Sequence, residues 1–211
     1  DLLRWVNANE DGINFRTIPV LDMGSHGWTE FVHYKSCESS QEVRRFYERQ
    51  GGYLALLHCL GATDMHFENL IANGEHPVLI DLESLFHPKL AVSEALPGVD
   101  GRAHQFLYES VLRVGLLPQR VWGESPGSGI DLSGLGAEGG QELPFDAPIW
   151  EGVNTDEMHL AYGKMRLPSN NNRPLIDGEP VDTTAYSHAI IAGFKLIYGL
   201  LRRSSRWLSK D

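Results

Sequence analysis

The chain has 211 residues and a formal net charge of −10, and 42% of its residues are hydrophobic. This length and hydrophobic content can support one large domain or two small ones, and we expect a soluble globular protein. The negative charge, with no obvious basic face, argues against a general nucleic-acid binder, because binding to phosphate backbones needs clustered positive charge.

The cysteine pattern and the hydropathy point to a cytoplasmic protein. Cys37 and Cys59 are the two cysteines, and neither lies in a C-x-x-C pair or in a Cys/His spacing typical of zinc sites. No apolar run reaches the length of about 18 residues expected of a membrane span, and the first residues do not resemble a signal peptide. The chain begins abruptly and ends within a helical pattern, so we expect it to be part of a longer protein.

The first elements are predicted to be a strand pair, or a strand and loop, and then a long helix. Arg16–Tyr34 contains two apolar runs around the turn Gly24–Gly27, which is typical of either arrangement. Ser39 or Ser40 can cap the helix, whose apolar periodicity continues until Gly61 ends it. Two adjacent glycines in the middle predict an interrupted or tightly packed stretch.

A β-hairpin is predicted next. The apolar runs Leu70–Ala72 and Pro77–Ile80 flank Asn73–Gly74, a dipeptide that tolerates the positive φ angles of tight hairpin turns. Asp64 precedes the hairpin and Asp81 follows it. Closure of the hairpin is therefore expected to bring these two carboxylates to one rim of a cleft.

The second half is predicted to contain a helix, a glycine-rich loop, a strand, a polar loop and a C-terminal helix. Their ranges are Arg102–Leu117, 123–142, Glu157–Leu167, 169–180, and Asp182 or Thr183 to the chain end. The glycine-rich stretch lacks the GxxxxGK[ST] pattern of a phosphate loop and is interpreted as a flexible structural or lid loop. The apolar face of the last helix is predicted to comprise Tyr186, Ile190, Ile191, Phe194, Ile197 and Leu201.

Two short motifs in this apolar context carry the chemistry. DMHFEN occupies Asp64–Asn69, and IDLE occupies Ile80–Glu83. Phosphoryl transfer from a nucleoside triphosphate needs a carboxylate for the attacking hydroxyl and oxygen ligands for Mg²⁺. Asp64 can act as the base, while Asn69 and Asp81 can hold the metal.

These motifs resemble those of known enzymes. Protein and lipid kinases place an Asn five residues after the catalytic Asp, followed by a strand pair and a metal-binding Asp. The stretch GGYLALLHCLGATDMHFENLIANGEHPVLIDLESLFHP is more closely similar to the dehydratase domain of class II lanthipeptide synthetases, the LanM type, whose core resembles a lipid kinase. HGWTEFV, SVLRVGLLP, GIDLSGLG and NRPLIDG extend the resemblance over about Arg16 to Tyr198.

The resemblance implies an α+β fold with a kinase-like catalytic C-lobe, in which a β-hairpin separates the catalytic loop from the metal-binding acid, with helices and long loops. It implies that ATP and Mg²⁺ serve to phosphorylate Ser and Thr of a leader-bearing precursor peptide, and that phosphate elimination leaves dehydroalanine and dehydrobutyrine. Asp64 and His66 then correspond to catalytic residues. Asn69, Asp81 and Glu83 correspond to cofactor-binding residues, of which Asn69 and Asp81 are metal ligands.

Some family features have no counterpart in the sequence. An upstream lysine segment that contacts ATP, a downstream elimination segment and a zinc cyclase domain are missing, and Lys35 stands at a different place in the pattern. We therefore interpret residues 1–211 as a partial LanM-type dehydratase domain. The isolated chain is expected to be inactive, and a cyclase domain can follow in the full-length protein.

Two alternatives remain open at this stage. A metallohydrolase would use Asp64, His66, Asp81 and Glu83 to bind a transition metal directly. A non-catalytic chain would bind the precursor peptide or a partner enzyme without turnover.

Other polar residues are given structural interpretations. Asp22, His26 and Trp28 are expected to pack against the catalytic loop. The polar run Asn170–Arg173 is expected to be a solvated turn.

Overall fold

The computed structural model describes residues 1–87, 99–122, 129–168 and 171–208, and it has the predicted α+β class. In these ranges the helices are α1 (Leu2–Asn9), α2 (Ser40–Cys59), α3 (Val99–Glu109) and α4 (Ser187–Leu208). The strands are β1 (Val20–Asp22), β2 (Gly27–Thr29), β3 (Leu70–Asn73), β4 (His76–Leu79), β5 (Arg120–Val121), β6 (Ile130–Asp131), β7 (Ala147–Glu151), β8 (His159–Gly163), β9 (Leu175–Ile176) and β10 (Glu179–Pro180). They pair antiparallel as β1–β2, β3–β4, β5–β6, β7–β8 and β9–β10.

The start of α2 is set by its capping residues. Ser39 is extended, and its hydroxyl accepts a hydrogen bond from the Glu42 amide at 3.3 Å. The Glu42 carboxylate reaches back and accepts from the Glu38 amide at 2.7 Å. The first hydrogen bond satisfies an amide that the first helical turn leaves unpaired, and the second satisfies the amide of the residue before the cap. The predicted cap is therefore confirmed as Ser39.

Helices α2 and α4 cross in close contact at two glycines. A Cβ atom added to Gly51 would overlap the carbonyl of Ile190, and one added to Gly193 would overlap the carbonyl of Glu48. The middle of α2 is therefore tightly packed rather than interrupted, which decides between the two predicted alternatives.

The main hydrophobic core lies around this crossing. It takes Val43, Phe46 and Tyr47 of α2, the consecutive residues Tyr53–Leu57 by which the second half of that helix is buried on all sides, the inner face of α4, and apolar residues from the N-terminal segment and from β3. Ile190, Ile197 and Leu201 are buried as predicted for the apolar face of α4, but Ile191 is 50% exposed, so its assignment to that face is wrong. Ile191 directly follows Ile190, and adjacent residues lie about 100° apart around a helix.

The N-terminal helix α1 was not predicted from the sequence. Only its Val6 is fully buried. The Asn7 side chain joins α1 to the following segment, because its amide donates to the Phe15 carbonyl at 2.7 Å and its oxygen accepts from the Phe15 amide at 2.8 Å.

The predicted strand pair in Arg16–Tyr34 is confirmed as β1–β2, but its surroundings differ from the prediction. Asp22, His26 and Trp28 are exposed, and Trp28 has 69% of its surface accessible. Their expected packing against the catalytic loop is therefore wrong. Among the described residues, no helix combines the length and hydropathy needed to cross a membrane.

The predicted helix Arg102–Leu117 is two elements. Helix α3 ends at Glu109, and a 3₁₀ turn over Val111–Val114 follows. The Ser110 hydroxyl caps both elements. It donates to the Leu107 carbonyl at the end of α3, at 2.7 Å, and accepts from the Leu112 amide at the start of the 3₁₀ turn, at 3.1 Å. Serine competes in this way with helical hydrogen bonds, which periodicity alone does not reveal.

The predicted strand Glu157–Leu167 is also shorter than expected. Only His159–Gly163 pairs with β7, which is itself five residues long. Residues 165–167 form their backbone hydrogen bonds with 140–143 instead. The polar loop predicted over 169–180 contains the short pair β9–β10, with positive φ angles at Asp177 and Gly178.

Gly193→Ala tests the helix crossing. The added methyl group would meet a backbone carbonyl that cannot rotate away, so we expect the free energy of unfolding to fall by about 3 kcal/mol or more. Urea unfolding followed by circular dichroism measures this change.

Gly199→Ala in the same helix is the matched control. A Cβ there meets only the end of the Arg203 side chain, at 3.3 Å. We expect this variant to be unchanged or stabilised by up to about 1 kcal/mol, because alanine is the better helix former. Equal effects of the two substitutions would contradict the close crossing.

Candidate active site

The DMHFEN loop lies between the end of α2 and the start of β3, and its side chains alternate between the core and the solvent. Met65 is 1% exposed and Phe67 is 8% exposed, whereas Asp64 and Glu68 are exposed. Met65 joins the main core, and Phe67 joins a second apolar cluster with Ile130, Ala137, Leu143, Ala147 and Leu167. Two buried apolar anchors therefore hold a loop whose polar side chains remain accessible.

The backbone around Asp64 has an unusual conformation that Asn69 stabilises. Asp64 has a φ of +60°, a left-handed region that non-glycine residues rarely adopt. The Asn69 side-chain amide donates to the Asp64 carbonyl at 2.9 Å, and its backbone amide donates to the His66 carbonyl at 3.1 Å. Since the side-chain nitrogen of Asn69 donates to the Asp64 carbonyl, the side-chain oxygen of Asn69 points away from that carbonyl as an acceptor.

The β3–β4 hairpin brings the second motif beside the first. Leu70 pairs with Leu79, and the Ile80 amide donates to the Asn69 carbonyl at 3.1 Å. Thr63 lies just before the DMHFEN loop, and Ser84 lies just after the IDLE motif. The Thr63 amide donates to the Ser84 carbonyl at 3.3 Å, and the Ser84 hydroxyl donates to the Thr63 carbonyl. The predicted hairpin is confirmed, and it ties the residues on both sides of Asp81 to the DMHFEN loop.

Asp81 itself is exposed at the open end of the hairpin. Its Oδ1 accepts from the Glu83 amide at 3.2 Å, so the two acidic residues belong to one short turn. Glu83 is also exposed. The structure therefore places Asn69, Asp81 and Glu83 at the same end of the hairpin as Asp64.

His66 caps the short 3₁₀ turn Phe67–Asn69. Its Nδ1 accepts from the Glu68 amide at 3.3 Å, and its ring meets the Phe67 ring edge-on at 5.8 Å. With Nδ1 as acceptor, the neutral imidazole carries its proton on Nε2. The ring is thus oriented by its own loop and keeps one donor.

The tip of the hairpin is anchored to α2 by charged residues. The turn comprises Gly74 and Glu75, one position later than predicted, and Gly74 has a φ of +59°. Glu75 pairs with Arg45 and with Arg49, and the largely buried Arg49 also donates to the Glu75 carbonyl at 2.9 Å. The hairpin is therefore held at its tip as well as at its open end.

This anchor shifts the pKa values of its members. Burial acts to raise the pKa of Glu75, but the hydrogen bond from Arg45 and the charges of Arg49 and Arg45 outweigh it and lower that pKa. Burial, reinforced by the positive charge of Arg49, lowers the pKa of His76. Both groups therefore release their protons more readily in the folded state.

Lys35 lies at the hairpin tip, away from Asp81. Its backbone amide donates to the Ala72 carbonyl at 3.0 Å, beside Asn73. Its exposed ammonium group pairs with Glu38 at 3.1 Å, and the hydrogen bond and charge of Glu38 raise the pKa of Lys35.

The glycine-rich stretch contains a segment that the sequence did not assign to the site. Residues 130–137 run beneath the DMHFEN loop, and Ile130, Ser133, Leu135 and Ala137 are buried. The glycine-rich stretch was predicted to be a structural loop or a lid loop. Residues 130–137 are structural, and they are not a lid because buried residues cannot swing over a cleft. Residues 123–128 lie outside the described residues.

Asn172 is the other missed residue. It is 1% exposed, and its amide donates to the carbonyls of Gly134 at 2.9 Å and Ala137 at 3.3 Å. The prediction of a solvated turn is therefore wrong for Asn172, while Asn170 lies outside the described residues. A polar run in sequence gives no signal that one of its members is buried.

The acidic groups do not form a compact metal cluster by themselves. Within the described ranges, no group of three His, Cys, Asp or Glu side chains is arranged to hold a metal ion. The four ligands considered for a metallohydrolase, Asp64, His66, Asp81 and Glu83, all lie in these ranges, so no three of them form such a group.

Comparison with known proteins gives two matches. The model of a protein family described as a domain of unknown function, DUF4135, matches residues 1–211. The chain is 31% identical over 192 residues to the lacticin 481/lactococcin biosynthesis protein LcnDR2 of Lactococcus lactis subsp. lactis. This match covers 89% of the chain and 20% of the curated relative, so the chain spans about one fifth of that protein's length.

The hairpin anchor predicts that acid destabilises the fold. Because the pKa values of His76 and Glu75 are lowered in the folded state, the unfolded chain binds more protons as the pH falls through each ordinary pKa. The free energy of unfolding is expected to decrease below about pH 6.5 and further below about pH 4.5. Urea unfolding at a series of pH values measures both steps.

His76→Gln is expected to remove the step below about pH 6.5 and to leave the lower one. Loss of the same step in a control variant, His26→Gln on the exposed β1–β2 turn, would contradict its assignment to His76.

Proposed function

Because the chain belongs to the DUF4135 family, a domain associated with LanM-type lanthipeptide synthetases, we propose that it acts in lanthipeptide biosynthesis. The proposed reaction is ATP-dependent phosphorylation of Ser and Thr in a precursor peptide, followed by elimination of phosphate. The products are dehydroalanine and dehydrobutyrine.

One structural observation carries this proposal. The hairpin joins the DMHFEN loop to the IDLE motif by the hydrogen bond from the Ile80 amide to the Asn69 carbonyl, at 3.1 Å. The Asn69 side chain in turn holds the Asp64 carbonyl at 2.9 Å. A base candidate, an amide oxygen and a carboxylate are thereby held on one connected backbone frame, as phosphoryl transfer requires.

In the proposed phosphorylation, the hydroxyl of a substrate Ser or Thr attacks the γ-phosphorus of ATP. The new bond joins the hydroxyl oxygen to phosphorus, the bond to the β-phosphate oxygen breaks, and ADP leaves with the electron pair. Asp64 is accessible and accepts the hydroxyl proton. The Nε2–H of His66 donates a hydrogen bond to the phosphoryl group in transfer.

The donor groups of Asn69, Asp81 and Glu83 fit Mg²⁺. All are oxygen donors, and Mg²⁺ in nucleotide sites is typically held by one or two protein ligands together with substrate phosphates. Asn69 and Asp81 would hold the ion, with Glu83 beside them in the cofactor site. Bound there, Mg²⁺ neutralises the negative charge of the phosphates.

In the proposed elimination, a base removes the α-proton of the phosphorylated residue. The electron pair forms the carbon–carbon double bond, and phosphate leaves with the electrons of its C–O bond. Phosphorylation is useful here because phosphate is a far better leaving group than hydroxide. We assign no described residue to this base.

The remaining parts of the proposal rest on the family resemblance and, for the location, on the cysteine pattern. We infer a kinase-like C-lobe for this chain, a leader-bearing precursor peptide as its partner, and the cytoplasm as its location. In the full-length protein, a cyclase domain can follow.

Asp81→Asn in the full-length protein tests the phosphorylation step. Loss of the carboxylate charge is expected to reduce the rate at least about a hundredfold, because the metal-binding oxygen set is weakened where charge develops. Mass spectrometry of a precursor peptide incubated with ATP and Mg²⁺ detects both phosphate additions and water losses.

Asp22→Asn is the matched control. Asp22 is an exposed carboxylate that accepts from the amide two residues ahead, Gly24, at 2.8 Å, as Asp81 does from Glu83 at 3.2 Å. This variant is expected to keep the wild-type rate. A wild-type protein that binds the peptide without any mass change would contradict the proposed chemistry and favour a non-catalytic binding role. Metal-dependent hydrolysis without nucleotide would favour the metallohydrolase instead.

A further inference from the structure

A compact turn over Asp131–Ala137 lies directly beneath the DMHFEN loop; it is here named the floor turn. It is closed by its own polar groups: the Asp131 carboxylate accepts from the Ser133 amide at 2.9 Å, and the Ser133 hydroxyl accepts from the Gly136 amide at 3.0 Å. These two hydrogen bonds within the turn bring its ends close together.

The floor turn contacts the backbone of the DMHFEN loop directly. The Phe67 amide donates to the Leu132 carbonyl at 3.2 Å, and the Gly134 amide donates to the Met65 carbonyl at 3.1 Å. His66 and Ser133 form an isolated antiparallel bridge between the two segments. A Cβ at Gly134 would lie 2.8 Å from the Met65 carbonyl, so this approach has no room for a larger residue.

Buried polar side chains anchor the floor turn from its other side. Asn172 donates to the carbonyls of Gly134 and Ala137 at 2.9 and 3.3 Å, and the Thr183 hydroxyl donates to the Leu135 carbonyl at 3.0 Å. Within the described residues, the buried polar or charged ones are Arg49, Gln50, Ser133, Asn172 and Thr183. Three of these five serve the floor turn, although burying polar groups is costly unless they are paired.

We propose that Asn172 is a positioning residue for the candidate catalytic loop. It fixes the floor turn, the floor turn fixes the backbone of Met65 and Phe67, and that backbone fixes where Asp64 presents its carboxylate. This inference rests on the proposed function, because the role of Asp64 as a base comes from there.

The geometry of Asp64 explains why such support is needed. Its carboxylate is exposed, so the side chain is directed mainly by its own backbone. That backbone has the left-handed φ of +60°, a conformation that persists only where its surroundings impose it. On the C-terminal side, the Met65 amide donates to the Val114 carbonyl at 2.9 Å, and the floor turn holds the Met65 carbonyl and the Phe67 amide.

The test compares Asn172→Ala with Asn7→Ala in the full-length protein. Each wild-type asparagine makes two hydrogen bonds to backbone groups, so the two variants lose the same number of such bonds: Asn172 donates both, and Asn7 donates one and accepts one. Both hydrogen bonds of Asn7 are to Phe15. The two residues are far from the DMHFEN loop in sequence, and their hydrogen bonds do not involve that loop. Thr183→Val is a second variant, isosteric with the wild type, that removes one anchor of the same turn together with a hydrogen bond to the Tyr47 hydroxyl of α2 at 3.1 Å.

Hydrogen exchange is the first readout and needs no substrate. In Asn172→Ala and Thr183→Val, the amides of Phe67 and Gly134 are expected to exchange at least about tenfold faster while α2 amides keep their protection. Asn7→Ala is expected to leave the loop amides unchanged. Uniform acceleration throughout the protein, or none at the loop, would overturn the positioning role.

Steady-state kinetics of peptide phosphorylation is the second readout. A displaced Asp64 is expected to lower kcat by about tenfold to a hundredfold in Asn172→Ala, with the KM for peptide within about twofold. An unchanged kcat beside faster loop exchange would also overturn the inference. If wild-type protein shows no phosphorylation, the proposed function fails, and the exchange data still decide whether Asn172 holds the loop.

Discussion

The close crossing of α2 and α4 is the constraint on which the rest of the structure depends. Because Gly51 and Gly193 lack side chains, each helix can place its backbone against the other, and the apolar residues around them form one core. The C-terminal end of α2 leads directly into the DMHFEN loop, and its middle holds the hairpin tip through Arg49 and Glu75. A shift of this crossing would therefore move both ends of the candidate site together.

The placement of so many polar residues within an apolar segment follows from how the loop is supported. Met65 and Phe67 are buried in two different clusters, and the residues between and beside them remain accessible. Their backbone groups are paired with the 3₁₀ turn at Val114, with the floor turn and with the hairpin. The apolar sequence thus serves to hold Asp64, His66 and Asn69 in place, rather than to bury them.

Several elements could be predicted because their causes are local. The Ser39 cap, the long helix α2 and the β3–β4 hairpin each depend on signals from neighbouring residues, and all three occur. The helix predicted over Arg102–Leu117 is correct as far as Glu109, but it does not continue as one element because the Ser110 hydroxyl competes for backbone hydrogen bonds. Trp28 was expected to pack, yet it lies exposed on a hairpin whose strands are only three residues long.

The sequence by itself determined the candidate chemistry, since the DMHFEN and IDLE motifs carry the residue types that phosphoryl transfer needs at a spacing that one hairpin can close. Only the tertiary structure decided how that chemistry is supported. Asn172 is 108 residues from Asp64 in the chain (172 − 64), and nothing in the polar run around it marks it as buried. Its role depends on which carbonyl groups the folded backbone brings within hydrogen-bonding distance, and those contacts form only when segments distant in sequence pack together.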